Sequence, residues 1–133
     1  MNLEHMRRLC GWHFRVLGAA ILEGYEFGPD MRGYANIRPS AGDKVYGVLY
    51  ELDEERLSIL DDFEGYPNVF NRIEVEVSKV GASGNKYITW VYLEKPEQFG
   101  GSYVKEDYLK RVIIGARENR LPEAWIEKLE SYL

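Results

Sequence analysis

The fold is decided by a stretch in the middle of the chain, Val45-Tyr46-Gly47-Val48-Leu49-Tyr50-Glu51-Leu52, and by the segment after it, Leu57-Ser58-Ile59-Leu60-Asp61-Asp62-Phe63-Glu64-Gly65. The first part is apolar nearly throughout, which predicts a strand over residues 44–51 that is buried on both faces. Asp53 then begins a helix as its N-cap, and the helix ends near Phe63, before Gly65. A strand that leads directly into a helix indicates a domain built from both sheet and helices.

The sequence before this stretch predicts one short helix and two strand regions. Leu3, Met6 and Leu9 have helical spacing, and Asn2 is suited to cap that helix. Residues 14–27 are apolar and partly β-branched, which predicts one long strand or two joined strands. A short strand over 33–38 is then expected to stop at Pro39, with a turn over 41–43 before the central stretch.

The sequence after it predicts a hairpin and two helices. Residues 70–80 alternate between apolar and charged side chains, as in a half-exposed strand, and residues 86–93 return after a loop over 81–85. A helix over 103–118 and a last helix with Pro122 in its first turn follow the long irregular loop 95–102. The chain is therefore predicted to be a single α+β domain over 1–133. Its mainly antiparallel mixed sheet, or partial barrel, has helices packed around it.

Composition excludes several classes of partner. The chain has 133 residues and a net charge of −5, with its basic residues scattered, so no nucleic acid is expected as a partner. No apolar run approaches the roughly 20 residues of a membrane span, and the polar start does not resemble a secretory signal. Cys10 is the single cysteine and fits a reducing compartment. We therefore expect a cytoplasmic protein that has no membrane partner.

Motifs for metal or nucleophile chemistry are missing, and acidic residues remain as candidates. His5 and His13 share no ligand spacing with the acids or with Cys10, so neither a metal nor a cofactor is expected. Three carboxylates, those of Asp61, Asp62 and Glu64, close one predicted helix, where the helix dipole disfavours negative charge by a few tenths of a kcal/mol, a rough figure. One of the three is a candidate for chemistry, and the pattern alone does not choose among them.

Taken together, the motifs resemble those of the gamma-glutamylcyclotransferases. In that family a strand of the form V-x-G-v-l-y leads into a helix that ends L-D-x-x-E-G, as in 45–52 and 57–65 here. The segment 33–39 resembles the short strand that precedes the turn in the family. Tyr108 followed by Gly115-Ala116-Arg117-Glu118-Asn119-Arg120-Leu121-Pro122 resembles its C-terminal segment. The resemblance spans essentially the whole chain.

The resemblance implies a reaction and a set of site residues. Enzymes of this family cyclise a gamma-glutamyl group to 5-oxoproline and release the attached amine or amino acid, without a cofactor. The family's catalytic glutamate falls on Glu64, which would act first as general base and then as general acid. Tyr108 and Tyr92 fall on tyrosines that contact the substrate, and Gly65 and Asn2 are predicted as further substrate-binding residues.

One departure from the family leaves alternatives open. Members begin with a strand and a Y-G-S-N-like loop whose backbone N–H groups bind the substrate, and the sequence here resembles the stretch just after that loop. A domain truncated at its N-terminus would have unpaired strand edges. Such a domain is expected to be poorly active and to self-associate, with a homodimer as the expected form. A related substrate, an isopeptide between gamma-glutamate and a lysine side chain, would use the same signature. A non-catalytic domain that binds a small molecule or another protein is the second reading.

Overall fold

Helices and pairs of consecutive strands follow one another along residues 2–81 and 84–133, the parts of the chain that the computed structural model describes. The elements are α1 (Leu3–Cys10), β1 (Phe14–Pro29), β2 (Ala35–Leu52), α2 (Glu54–Glu64), β3 (Phe70–Lys79), β4 (Lys86–Glu94), a short 3-10 turn (Pro96–Gln98), α3 (Glu106–Glu118) and α4 (Glu123–Glu130). The predicted α+β architecture is confirmed. Of the predicted hairpin loop 81–85, residues 82 and 83 lie outside the described residues.

The four strands form one antiparallel sheet in the order β2-β1-β3-β4. β1 pairs with β2 from Phe14↔Leu52 to Pro29↔Ala35, and β3 pairs with β4 over its whole length. In the described part of the chain the two long ribbons pair where Ala20 and Ile21 face Lys79 and Ser78. β2 and β4 are consequently the edge strands of the sheet among the described residues.

The region 35–52 differs from its prediction, because it is one strand rather than two strands separated by a turn. The register pairs Tyr25 with Pro39 and Glu23 with Lys44, so residues 40–43 form a bulge opposite Gly24. The Ser40 Oγ donates to Asp43 Oδ2 across this bulge at 2.5 Å. Pro39 is tolerated within the strand because it lies beside a bulge in an edge strand, where the loss of its N–H disrupts little pairing.

The predicted burial of 44–51 on both faces is wrong. Val45 and Leu49 are buried, but Gly47 and Glu51 on the same face are exposed, and Tyr46 on the opposite face is only half-buried. The reason is the position of β2 at the edge of the sheet, where neighbouring elements cover a strand incompletely. The apolar sequence reflects contacts with helices at particular positions instead of complete enclosure.

The predicted helix boundaries are largely confirmed. Asn2 Oδ1 accepts from the His5 N–H at 2.9 Å, and Asp53 Oδ1 accepts from the Arg56 N–H at 2.8 Å. Gly65 ends α2 in the left-handed region, with φ of 69°. Helix α3 begins at Glu106, later than the predicted residue 103.

Two apolar clusters hold the helices against the sheet. The larger cluster packs α3 and α4 on the strands, and it includes Leu22, Leu49, Leu109 and Trp125. The smaller one joins α1 to α2 through Met6, Cys10 and Leu60. This second cluster matters for function because it fixes the position of α2, the helix that ends at Glu64.

Among the described residues, no helix has both the length and the apolar character that crossing a bilayer requires.

Candidate active site

A cavity of about 670 Å³ brings the predicted site residues together. Its walls come from the start of α1, the turn between β1 and β2, the end of α2 and the first half of α3. All five residues predicted as catalytic or substrate-binding line it, namely Asn2, Glu64, Gly65, Tyr92 and Tyr108. Apart from the adjacent Glu64 and Gly65, these residues are far apart in the sequence, and the fold brings them into one cavity.

Glu64 is the last residue of α2 and faces this cavity. Burial raises the pKa of its carboxyl group above the ordinary value. Within residues 2–81 and 84–133, no side chain donates a hydrogen bond to it or forms an ion pair with it. A half-buried carboxylate without such partners has a high proton affinity and is accessible to a ligand, as a general acid/base requires.

Asp61, one turn earlier in α2, is in a different environment. Its two carboxylate oxygens accept from the Arg72 Nε at 2.8 Å and Nη2 at 3.2 Å, and the Tyr92 hydroxyl donates to Oδ1 at 2.6 Å. Burial alone would raise the pKa of Asp61, but these hydrogen bonds and the charge of Arg72 lower it overall. Asp61 therefore ties α2 to β3 and β4.

Tyr108 contributes a buried phenol to the cavity wall. Its hydroxyl oxygen accepts from the Ala35 N–H at 3.4 Å, and its ring lies edge-on to that of Tyr34, with centroids 5.2 Å apart. Burial raises the pKa of Tyr108 to about 12, with a smaller contribution from the negative charge of Glu64. The phenol is consequently protonated at neutral pH and can donate a hydrogen bond to a ligand.

The other three predicted residues line the cavity but have structural contacts as well. The Tyr92 hydroxyl is engaged by Asp61, which leaves its ring for the cavity. Gly65 caps α2, and a Cβ there would lie 3.0 Å from the Val69 side chain. Asn2 Nδ2 donates to the Arg111 carbonyl at 3.2 Å while its oxygen caps α1. Their roles in binding a substrate stay predictions.

A buried polar cluster beside the cavity escaped the sequence analysis. The Asp30 and Glu94 carboxyl groups hydrogen-bond to each other, and the Arg32 guanidinium lies 3.4 Å from Asp30 Oδ2 and 3.1 Å from Glu94 Oε1. Burial, followed by the bond to Asp30, raises the pKa of Glu94 to about 7. Hydrogen bonds from Glu94 and the backbone outweigh burial and lower the pKa of Asp30. The proximity of the two carboxyl groups thus moves their pKa values in opposite directions.

Asn36, next to this cluster, also lines the cavity, as Arg32 does. Its Oδ1 accepts from the N–H groups of Ile37 at 2.8 Å and Glu94 at 2.9 Å. A sequence signal existed, because asparagine is uncommon inside strands and this one lies between Ala35 and Ile37 in a strand segment. The cluster around it had no such signal, because Asp30 and Glu94 are 64 residues apart in the chain.

Metal ligation has no support in the part of the chain that the structure describes, where no three His, Cys, Asp or Glu side chains are grouped closely enough to hold an ion.

Comparison with known proteins gives a consistent result. The family described as "Gamma-glutamyl cyclotransferase, AIG2-like" matches residues 1–110. The chain is 33% identical over 100 residues to a gamma-glutamylcyclotransferase of Mus musculus, covering 74% of this chain and 51% of that protein. It is 39% identical over 46 residues to a gamma-glutamylaminecyclotransferase of Bos taurus, covering 35% of this chain and 27% of that protein.

Among solved structures, one of a gamma-glutamyl cyclotransferase superposes with a TM-score of 0.85 at 24% identity, covering 99% of this chain and 82% of that one. The chain spans about half the length of the mouse relative. The match over residues 1–110 covers most of the sequence and includes Glu64, Gly65, Tyr92 and Tyr108. The chain belongs to the gamma-glutamyl cyclotransferase, AIG2-like family.

Proposed function

We propose that this protein converts gamma-glutamyl amides to 5-oxoproline and the free amine, with Glu64 as the general acid/base. The observation that carries the proposal is the environment of Glu64, a partly buried carboxyl group of raised pKa that faces a 670 Å³ cavity. Family membership supports the reaction class, since the relatives described above are cyclotransferases of gamma-glutamyl compounds or gamma-glutamylamines.

The reaction is an internal aminolysis in which one C–N bond forms and another breaks. The substrate's α-ammonium must first lose a proton, which the Glu64 carboxylate accepts. The α-amine then attacks the γ-carbonyl carbon, and the tetrahedral intermediate collapses when the leaving nitrogen departs. Glu64 returns this proton to the leaving nitrogen. The attacking nitrogen loses its second proton as it becomes the lactam N–H, and the released amine takes up a proton from solvent, so the products are 5-oxoproline and an ammonium ion.

Tyr108 and the cavity walls support the same steps. The protonated Tyr108 phenol can donate a hydrogen bond to the substrate, including to an oxygen on which negative charge develops. Because the nucleophile and the carbonyl belong to one molecule, holding the chain in a bent conformation supplies much of the rate enhancement. A closely fitting cavity is sufficient for this, so no cofactor is required by the proposal.

The test compares 5-oxoproline release by the wild type, Glu64→Gln and Glu54→Gln. We expect Glu64→Gln to lower kcat by about 100-fold to 10,000-fold, the usual contribution of a general acid/base. Glu54→Gln is the matched control, because it makes the same substitution at an exposed position of the same helix. Equal turnover in all three proteins would reject catalysis by Glu64. Absence of 5-oxoproline release from all three would favour the second reading, a domain of this fold that binds without reacting.

Self-association belongs to the proposal too. Neither β2 nor β4 has a second strand partner among the described residues, and a second cavity of about 580 Å³ is lined by consecutive residues of both, 45–52 and 87–92. Edge strands of this kind pair readily with another copy of the same chain. Sedimentation velocity over a range of concentrations should reveal a dimer, whereas a constant monomer mass would argue against it.

A cytoplasmic location is retained as a proposal, because Cys10 is a free and buried thiol that fits a reducing compartment.

A further inference from the structure

The cations of the active-site cavity are unequally neutralised. Arg32 and Arg111 both line it. The Arg32 guanidinium is shared between Asp30 and Glu94, so its charge is balanced by this pair. Arg111, on α3, has no ion-pair partner in the described parts of the chain. Its charge is therefore available to a ligand.

An unused hydrogen-bond donor lies in the same cavity. Asn36 is 3% exposed, and its oxygen is fully engaged by two backbone N–H groups, which fixes the orientation of the amide. Its Nδ2 is buried and has no hydrogen-bond partner among the described residues. A buried donor left without a partner destabilises the protein, so an acceptor on a ligand would recover that free energy.

Both donors stand on elements that are tied together. Asn36 lies in β2 opposite Gly28 of β1 and is bonded to the end of β4 through the Glu94 N–H. The backbone of Arg111 is held by Asn2, and Tyr108, one turn earlier in α3, accepts from the Ala35 N–H beside Asn36. The Asn36 amide and the backbone of Arg111 are therefore held in place before a ligand arrives, which favours binding.

We propose that Arg111 and Asn36 bind a carboxylate group of the substrate, Arg111 through its charge and Asn36 through its Nδ2. The identity of the substrate rests on the proposed function. A gamma-glutamyl compound carries this group in the α-carboxylate of the glutamyl unit. When an amino acid is the leaving group, it carries a second carboxylate. In both cases the ligand group is a carboxylate, whose oxygens accept hydrogen bonds from a guanidinium and an amide.

The kinetic test uses two substrates that differ in a single carboxylate, gamma-glutamylalanine and gamma-glutamylethylamide. Arg111→Gln should lower kcat/KM by about 10-fold to 100-fold, as loss of a charged hydrogen bond predicts. A loss confined to gamma-glutamylalanine assigns Arg111 to the leaving-group carboxylate, and an equal loss with both assigns it to the α-carboxylate. An unchanged kcat/KM for both substrates overturns the proposal.

Two further variants separate local from general effects. Lys110→Gln removes an equal charge from the adjacent residue, whose ammonium pairs with Glu106 outside the cavity, and it should leave kcat/KM unchanged. Asn36→Asp keeps the Oδ1 acceptor and removes the Nδ2 donor, so it should raise KM for the same substrate that Arg111→Gln affects. Because this change adds a buried charge, its unfolding curve must first confirm that the protein is folded.

Equilibrium binding distinguishes failure of this inference from failure of the proposed function. Calorimetry on Glu64→Gln, with both substrates as ligands, reports binding without requiring turnover. Adding Arg111→Gln to that protein should weaken binding of at least one ligand by about 10-fold or more. If the wild type releases no 5-oxoproline but Arg111→Gln still weakens ligand binding, the carboxylate site is supported and the proposed reaction is rejected. Equal affinities, or no binding of either ligand before Arg111 is changed, reject the carboxylate site.

Discussion

The two sides of the last turn of α2 differ more than their sequence suggests. On the side that faces β3 and β4, Asp61 is neutralised by Arg72 and accepts from Tyr92. On the cavity side, Glu64 is half-buried without a cationic side-chain partner among the described residues, and its pKa is raised where that of Asp61 is lowered. Two carboxylates one turn apart thus have different roles, because the partners that the fold supplies determine what each acid can do.

The largest expected effect on stability comes from removing the ion pair between Asp61 and Arg72. Asp61→Asn leaves the Arg72 guanidinium without its carboxylate partner, and both side chains are only 16% exposed. We expect the free energy of unfolding to fall by about 3 kcal/mol, as when one member of a buried pair is removed. Urea denaturation measures this, with Glu55→Gln as the control, because its exposed pair with Arg56 should contribute less than about 1 kcal/mol. Equal losses in both variants would contradict the assignment of Asp61 to structure.

A smaller effect is expected from the hydroxyl that completes this pair. Tyr92→Phe removes the 2.6 Å hydrogen bond to Asp61 and leaves the ring in the cavity wall. The free energy of unfolding should fall by about 1.5 kcal/mol, since bonds to charged groups contribute more than neutral ones. Tyr87→Phe, on the same strand, is the control: no side-chain hydrogen bond of Tyr87 is present within the described residues, so a change of less than about 0.5 kcal/mol is expected. A Tyr92→Phe protein as stable as wild type would show that Arg72 alone holds Asp61.

The pH dependence of stability should have opposite signs on the two sides. The lowered pKa of Asp61 stabilises the folded state above the ordinary carboxyl pKa of about 4, and this contribution is lost as pH falls through the folded-state value. The raised pKa of Glu64 has the reverse effect. Its contribution is complete below about pH 4 and is lost as pH rises through the folded-state pKa.

Denaturation of the wild type, Asp61→Asn and Glu64→Gln at several pH values between about 3 and 8 measures this contrast. The difference in unfolding free energy between wild type and Asp61→Asn should grow as pH rises, while that between wild type and Glu64→Gln should move in the other direction. Parallel curves for the two variants would mean that the environments of the two acids do not differ as described.

Much of the fold was predictable from the sequence because the relevant signals are local. Caps such as Asn2, Asp53 and Gly65 satisfy or end a helix through contacts a few residues away, so their types and spacing are visible in the chain. The single strand across Pro39 was not predictable, since it depends on the register with β1 and on the edge position of β2. Burial of residues 44–51 was overestimated for the same reason.

The candidate site was predictable where the motif was contiguous and not where partners come from distant strands. Glu64 was one acid among three until the family resemblance selected it, and the structure adds why Asp61 is a poor alternative. Arg72, the partner that explains Asp61, belongs to another strand and has no sequence mark of its own. Arg111 and Asn36 were missed because the feature they share, a donor without an acceptor among the residues that the structure describes, exists only in three dimensions.

Gly115 determines how closely helix α1 can approach helix α3 beside the cavity. A Cβ at this position in α3 would lie 3.1 Å from the Asn2 backbone and side chain, so the absence of a side chain lets α1 approach α3 closely. Any larger residue would push the two helices apart. It would displace Asn2 from the Arg111 carbonyl and widen the cavity mouth. Enlarging the residue at position 115 therefore offers a way to alter substrate size preference by moving Asn2, which lines the cavity, without replacing it.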